Sequence, residues 1–265
     1  MRHGQRVAPR GFSTLEIEDA VIIIDNVYDT LPLGVGRNPV PGIGAVEACQ
    51  LLGGVTTPDT VIAVGPQFKS YAEDDGKFYG SYGTRTDGQY DAVIKKLTND
   101  ASSRQAVVTL WDPAKDNEPG KRDYPCTVMH QFRIRDGRLN MSVYMRSNDV
   151  WLGAAYDFFQ FTRVQIAIAS VLGVEPGVYA HHVGSLHIYE TNVEAAESLS
   201  KTDSKKSAPP IVGESWDTIR LSARRILSAT QSDTIYNSLN DAEKWYADSM
   251  IKAIRKNREK FSNER

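Results

Sequence analysis

Apolar positions along the chain follow two periods. Residues 14–25 (TLEIEDAVIIID) alternate and then run β-branched, the pattern of a strand entering a core. Proline and glycine interrupt 32–43, and a helix is expected from about 43 to 53, stopped by Gly53 and Gly54. Residues 57–87 are mixed and include the glycine- and tyrosine-rich GKFYGSYG, whereas 88–98 (GQYDAVIKKLT) has the period of an amphipathic helix. Strands are expected over 105–111, 127–135 and 139–146, with Asp136-Gly137 as a hairpin turn between the last two. A longer helix spans roughly 156–172 and ends at Gly173. Residues 178–189 form another strand.

The stretch 200–212 (SKTDSKKSAPPIV) is polar with a proline pair, which marks a loop or linker. The remainder, about 214–260, has helical period, with Ile226, Ile235, Trp245, Met250 and Ile254 available for packing. No internal repeat or low-complexity tract occurs. Strands lead, followed by one central helix and a helical tail, so the expected class is α+β. The expected organisation is a main domain over 1–200 and a linker with a helical extension over 201–265 packed on it.

Composition narrows the partners. At 265 residues, 41% hydrophobic and 24% charged, the chain is long enough for a large core. A net charge of -2 gives no basic field for nucleic acid, although a few local arginines can hold a phosphorylated small molecule. Two cysteines, Cys49 and Cys126, build neither a disulfide framework nor a zinc site, so no metal is expected. The N-terminus has no apolar core segment and no apolar run approaches ~18 residues, so neither a secretory signal nor a membrane span is expected. A reducing cytoplasm is the expected setting.

Chemistry concentrates around Cys126, in DYPCTVMHQF at the start of a strand. A cysteine is a good nucleophile when nearby positive charge lowers its pKa, and is otherwise a small buried apolar residue. Cys49 lies among apolar helix residues and takes the second reading. Downstream of Cys126, YMRSNDVWLGAAYDFFQF offers Arg146 and Ser147 as a clamp for a tetrahedral anion. His187 and Tyr189 stand at i and i+2 on one strand face, placed either to grip a sugar hydroxyl or to sit in the core.

These segments resemble thymidylate synthases. Arg10-Gly11 is similar to the family's N-terminal phosphate loop, and EACQLLGG at 47–54 to the helix carrying its glutamate, here Glu47. SSRQAVVTLWDP resembles the arginine motif and the strand with a tryptophan that follows it. PCTVMHQF, RSNDVWLG and GSLHIY resemble the nucleophile, base-and-phosphate and ribose segments. Each motif is short; their shared order is what is specific.

The departures carry the finer information. Thr127 follows the cysteine where histidine is usual, Asp157 stands where the family has asparagine, and Gly184-Ser185 replaces a Gly-Asp pair. All three are similar to phage deoxycytidylate hydroxymethylases, and also to cytidylate hydroxymethylases of nucleoside-antibiotic pathways. An asparagine amide matches the 4-oxo group and N3–H of uracil. An aspartate accepts from the 4-amine of cytosine and, when protonated, donates to N3. Asp157 therefore points to a cytosine base, unless it only caps the following helix.

The resemblance implies a homodimer built sheet to sheet, on a large mixed sheet flanked by helices. It implies a pyrimidine nucleoside monophosphate as substrate and 5,10-methylenetetrahydrofolate as co-substrate. Cys126 is implied as the nucleophile at C6, and Glu47 as the organiser of water and proton transfers. Arg10, Arg146 and Ser147 would hold the phosphate, with Arg104 reaching in from the second subunit; the usual arginine pair is reduced here to Arg104-Gln105. Gln131, Asp149, Gly153 and Asp157 would line the base, His187 and Tyr189 would contact the sugar, and Phe161 and Asp149 would wall the folate. The C-terminal tail does not resemble the family's closing tail. The expected product is a 5-hydroxymethyl cytosine nucleotide. The alternatives are a ribonucleotide-specific (CMP) enzyme, an enzyme acting on dUMP, and a nucleotide- or RNA-binding relative without turnover.

Overall fold

A computed structural model of the protein describes residues 4–31, 39–198 and 208–263. Its centre is one six-stranded sheet in the order β1-β2-β6-β5-β4-β3. The strands are β1 (Gln5–Val7), β2 (Thr14–Ile24), β3 (Ala106–Thr109), β4 (Thr127–Arg135), β5 (Arg138–Asp149) and β6 (Glu175–Tyr189). Every pairing is antiparallel except β5 with β6, so the sheet is mixed. The expected hairpin joins β4 to β5. Asp136 and Gly137 both have positive φ (51° and 69°), as a two-residue turn matched to strand twist requires.

Ten helices accompany the sheet among the described residues: α1 (Pro41–Gly53), α2 (Pro58–Val64), α3 (Tyr82–Thr86), α4 (Gln89–Asn99), α5 (Pro113–Asp116), α6 (Ala154–Leu172), α7 (Glu190–Glu197), α8 (Trp216–Ala229), α9 (Asp233–Asn237) and α10 (Asp241–Asn263). The expected stops hold: Gly54 and Gly173 adopt the left-handed conformation at the ends of α1 and α6.

Parallel β5 and β6 need a crossover, and α6 supplies it. The β5–β6 register shifts between Leu139 and Met141, which interrupts the ladder. Buried Gln165 of α6 donates Nε2 to the carbonyls of Leu139 and Gly177 at 2.8 and 3.1 Å, satisfying backbone groups at the break. The other sheet face exposes Val21, Ile23, Val107 and Val178.

The expected linker over 200–212 lies partly outside the described residues, and its described end is not a free loop. Ala208 and Ile211 are buried. Arg163 of α6 donates to the Ala208 carbonyl at 2.7 Å and Tyr246 to that of Pro209 at 2.8 Å. Beyond it, Ile219, Ile226, Tyr246 and Met250 of α8 and α10 are fully buried and belong to the same core cluster as Val46 and Leu52 of α1. The helical tail thus fixes the helix that carries Glu47.

Candidate active site

Four chain segments meet around Cys126: the entry to β4, the end of β5, the first turn of α6 and the end of β6. Cys126 is partly buried just before β4. The backbone N–H of Arg146 donates to its carbonyl at 2.9 Å, which sets the start of β4 beside the end of β5. The Arg146 guanidinium then turns back over this junction. Its Nε donates to the Pro125 carbonyl at 3.0 Å and its Nη2 to that of Tyr124 at 3.2 Å, and the same Nη2 lies 3.8 Å from Cys126 Sγ. Trp111 sits beneath it, 5.5 Å from guanidinium to ring. Trp111 lies beyond the end of β3, not within a strand as its sequence suggests.

Positive charge does not win at the thiol. Burial pushes Cys126 up to about 11; Arg146 and, more weakly, Arg10 pull it down, while Asp157 and Asp123 push it up. The shift runs opposite to the one that nearby positive charge alone would produce. Cys49 is fully buried in α1 and pushed higher still by burial, so it is inert packing.

Asp157 stands in the first turn of α6 and caps nothing; the N-cap position is Gly153. Its carboxylate instead accepts from Asn148 Nδ2 at 2.6 Å and from Gln160 Nε2 at 3.1 Å. Burial raises its pKa to about 7 against the pull of those two donors. A side chain at Gly153 would stand 3.2 Å from Asn148 Nδ2 and 3.3 Å from Asp157 Oδ2, so the glycine leaves room for this pair. Glu47 reaches the same place from α1. Burial, then the charge of Asp157, raises it to about 8, and its Oε2 is sealed from solvent without a hydrogen-bond partner among the described residues.

Asp149 ends β5. Its Oδ1 accepts from the N–H groups of Trp151 and Leu152, both at 2.7 Å, while its buried Oδ2 has no partner among the described residues. Glu47 and Asp149 thus each leave one buried carboxyl oxygen without a partner among the described residues, a cost of ~1–3 kcal/mol apiece that a polar ligand would relieve.

Arg10 lies in a short turn with φ of +55°, a conformation costly for a side-chain-bearing residue and commonest at functional sites. Tyr71 links it to the rest: burial raises its phenol first, Tyr189 and Asp123 add to this, Arg10 opposes and Cys126 adds last. These groups lie near enough to one another for their charges to interact. His187 and Tyr189 lie on the same face of β6 with rings edge to face at 5.7 Å, and Tyr189 packs against Phe12 at 6.2 Å. Ser147 pairs in register with Ser185 of β6.

Two expected site residues lie away from these groups. Gln131 is next to His130, which faces inward against Phe161, so Gln131 points to the opposite side of the sheet. There it donates to the Arg104 carbonyl at 3.2 Å and cannot line the base. Phe161 is wholly buried beneath Tyr82 (6.0 Å between rings) and His130 (4.7 Å), so it is core and not a folate wall. Arg104 is exposed at the start of β3.

Other residues join the site unannounced by any motif. Tyr82 is partly buried and its hydroxyl accepts from the Thr127 N–H at 3.2 Å. Asp123 is raised to about 6 by burial, opposed by Arg146 and Arg85. Tyr179 and His181 stand behind Asn148 and Asp157. Their i, i+2 spacing in a strand and the i, i+3 spacing of Asp157 and Gln160 were the available signals. No group of three or more His, Cys, Asp or Glu positioned to hold a metal occurs among the described residues, and no helix there is long and apolar enough to cross a membrane.

Comparison with known proteins adds three findings. The thymidylate synthase family model matches residues 62–227; Arg10 and Glu47 precede that stretch. The chain is 30% identical over 206 residues to the deoxyuridylate hydroxymethyltransferase of Bacillus phage SP01, covering 71% of this chain and 54% of that protein. It therefore spans about half the length of that curated relative. The fold matches thermostable thymidylate synthase A from Bacillus subtilis with a TM-score of 0.65 and 22% identity, over 77% of this chain and 78% of that one.

Proposed function

Because the chain belongs to the thymidylate synthase family, we propose that it is a pyrimidine-nucleotide hydroxymethyltransferase whose substrate is dCMP or CMP. The reaction joins the nucleotide, 5,10-methylenetetrahydrofolate and water to give the 5-hydroxymethyl nucleotide and tetrahydrofolate. The observation that carries the choice of base is Asp157. It is buried, held by two amide donors, and raised to about 7. It is therefore poised between accepting from a 4-amine and donating to N3.

Cys126 adds to C6 of the base, and its proton must leave as it does so. C5 becomes nucleophilic, takes the one-carbon unit that the folate supplies and loses its own proton as the bond from that carbon to the folate nitrogen breaks, releasing tetrahydrofolate. Water then adds to that carbon, and the thiolate leaves C6. Glu47, with a pKa near 8, moves protons at the ring close to neutral pH. Arg10, Arg146 and Ser147 hold the phosphate, joined by Arg104 of a second copy. His187 and Tyr189 contact the sugar. Asp149 Oδ2, buried and without a partner among the described residues, fits a donor on the folate.

The exposed apolar residues Val21, Ile23, Val107 and Val178 favour a homodimer that buries the open sheet face. Residues 1–200 carry the chemistry, and α8 and α10 of the 201–265 extension brace Glu47 from behind. Both cysteines are free, which suits a reducing cytoplasm.

A second reading is dUMP as substrate, favoured by the 30% identity to a deoxyuridylate hydroxymethyltransferase. Tritium release from [5-³H]dCMP, CMP and dUMP, each with methylenetetrahydrofolate, separates the two. Release chiefly from a cytosine nucleotide is expected. Release chiefly from dUMP rejects the cytosine reading, and binding without release from any of them rejects the enzyme.

A further inference from the structure

Buried side chains run in an unbroken line from the sheet to Asp157. Tyr179 and His181 stand two apart on β6 and share its helix-covered face. The Tyr179 hydroxyl lies 2.7 Å from His181 Nδ1, and His181 Nε2 lies 3.1 Å from Asn148 Oδ1. Asn148 Nδ2 then donates to Asp157 Oδ2 at 2.6 Å, and Gln160 Nε2 donates to the other oxygen at 3.1 Å. Tyr179 and His181 are wholly buried, and Asn148, Asp157 and Gln160 are at most 8% exposed.

The directions of these bonds depend on one another. With its amide nitrogen committed to Asp157, Asn148 turns its oxygen to His181 and can only accept there. His181 Nε2 must therefore carry the proton. A neutral imidazole has one donor and one acceptor, so Nδ1 is bare and the Tyr179 hydroxyl donates to it. Burial lowers His181 to about 3, with His182 adding to this, so the ring holds a single proton at working pH. Reversing the line would require Asp157 to donate to Asn148, and every bond behind it to flip together.

We propose that Tyr179, His181 and Asn148 are positioning residues that hold Asp157 Oδ2 as an acceptor, and so set the preference for a 4-amino over a 4-oxo pyrimidine. The proposal rests on the base-reading role of Asp157 proposed above. Asn148 engages one lone pair of Oδ2 and Gln160 one lone pair of Oδ1. The remaining lone pairs are left for the base, and an acceptor there repels a 4-oxo group while pairing with a 4-amine.

The test compares wild type with Tyr179→Phe and Asn148→Leu, both close in volume to the native residues. Tritium release gives kcat/KM for dCMP and dUMP separately. Asn148→Leu should cut the dCMP-to-dUMP ratio at least tenfold, and Tyr179→Phe should cut it less, in the same direction. Wild-type preference for dCMP with both kcat/KM values falling in proportion in the variants overturns the proposal and leaves a structural role. Wild-type preference for dUMP defeats the base-reading role itself and the proposal with it. If neither variant folds, the ¹⁵N shifts of His181 in the wild-type protein decide. The Nε2–H tautomer supports the line as described, and the Nδ1–H tautomer overturns it.

Discussion

Replacing Glu47 with glutamine should raise stability and abolish turnover, with a pH dependence that identifies the cause. Glu47 is held above its ordinary value, from 4.5 to about 8, by burial first and by the charge of Asp157 second. A carboxyl whose folded pKa is raised contributes stability that is fully present below its unfolded value and is lost as pH rises through the folded value. The window thus runs from about pH 4.5 to about pH 8. At about 1.4 kcal/mol per pH unit, the loss has a ceiling of roughly 5 kcal/mol. Part of the Glu47 side chain is accessible although Oε2 is sealed, so the loss is about 2–4 kcal/mol. Glutamine has the same shape and no charge to bury. In urea unfolding at one protein concentration, Glu47→Gln should exceed wild type by about 2–4 kcal/mol at pH 9 and match it within about 1 kcal/mol at pH 4.5. Tritium release should meanwhile fall by roughly 10²-fold or more. An equal stability difference at both pH values, or a less stable variant at pH 9, would refute the argument that a buried charge is the source.

The remaining predictions concern base choice and the thiol. Asp157→Asn should move preference toward dUMP by about 10–100-fold, the size of one or two mismatched polar groups, read as the ratio of kcat/KM values. An unchanged ratio would remove Asp157 as the reader of the base. Cys126, pushed up to about 11 chiefly by burial, should be alkylated by iodoacetamide in the free protein at a rate rising roughly tenfold per pH unit between pH 8 and 10. A rate already level at pH 8 would mean that Arg146 outweighs burial.

The thiol shows how a residue type can be legible while its state is not. Cys126 stands out by its neighbours in sequence, and Arg146 does approach it. Yet burial, Asp157 and Asp123 together outweigh the arginines. Desolvation and distance set that balance, and neither is written in local order. Gln131 and Phe161 fail for a related reason. Motif order aligned them with a site, but the β4–β5 pairing shifts between Thr127 and Met129, and the face a strand residue takes follows register. Phe161 is one turn beyond Asp157 on α6 and lies deep enough for Tyr82 and His130 to cover it.

Local chemistry alone determined the α+β class, the Asp136-Gly137 turn, the glycine ends of α1 and α6, and the order of segments that identifies the family. Each depends on the backbone preferences of a few adjacent residues. Only the tertiary structure decided which groups confront one another. It brought Glu47 of α1 to Asp157 of α6, left Asp149 Oδ2 without a partner among the described residues, and aligned Tyr179, His181 and Asn148 behind the carboxylate. It also made the C-terminal helices part of the core that holds Glu47 in place. Those relations join positions far apart in the chain, and packing and the exclusion of water fix them, not propensity.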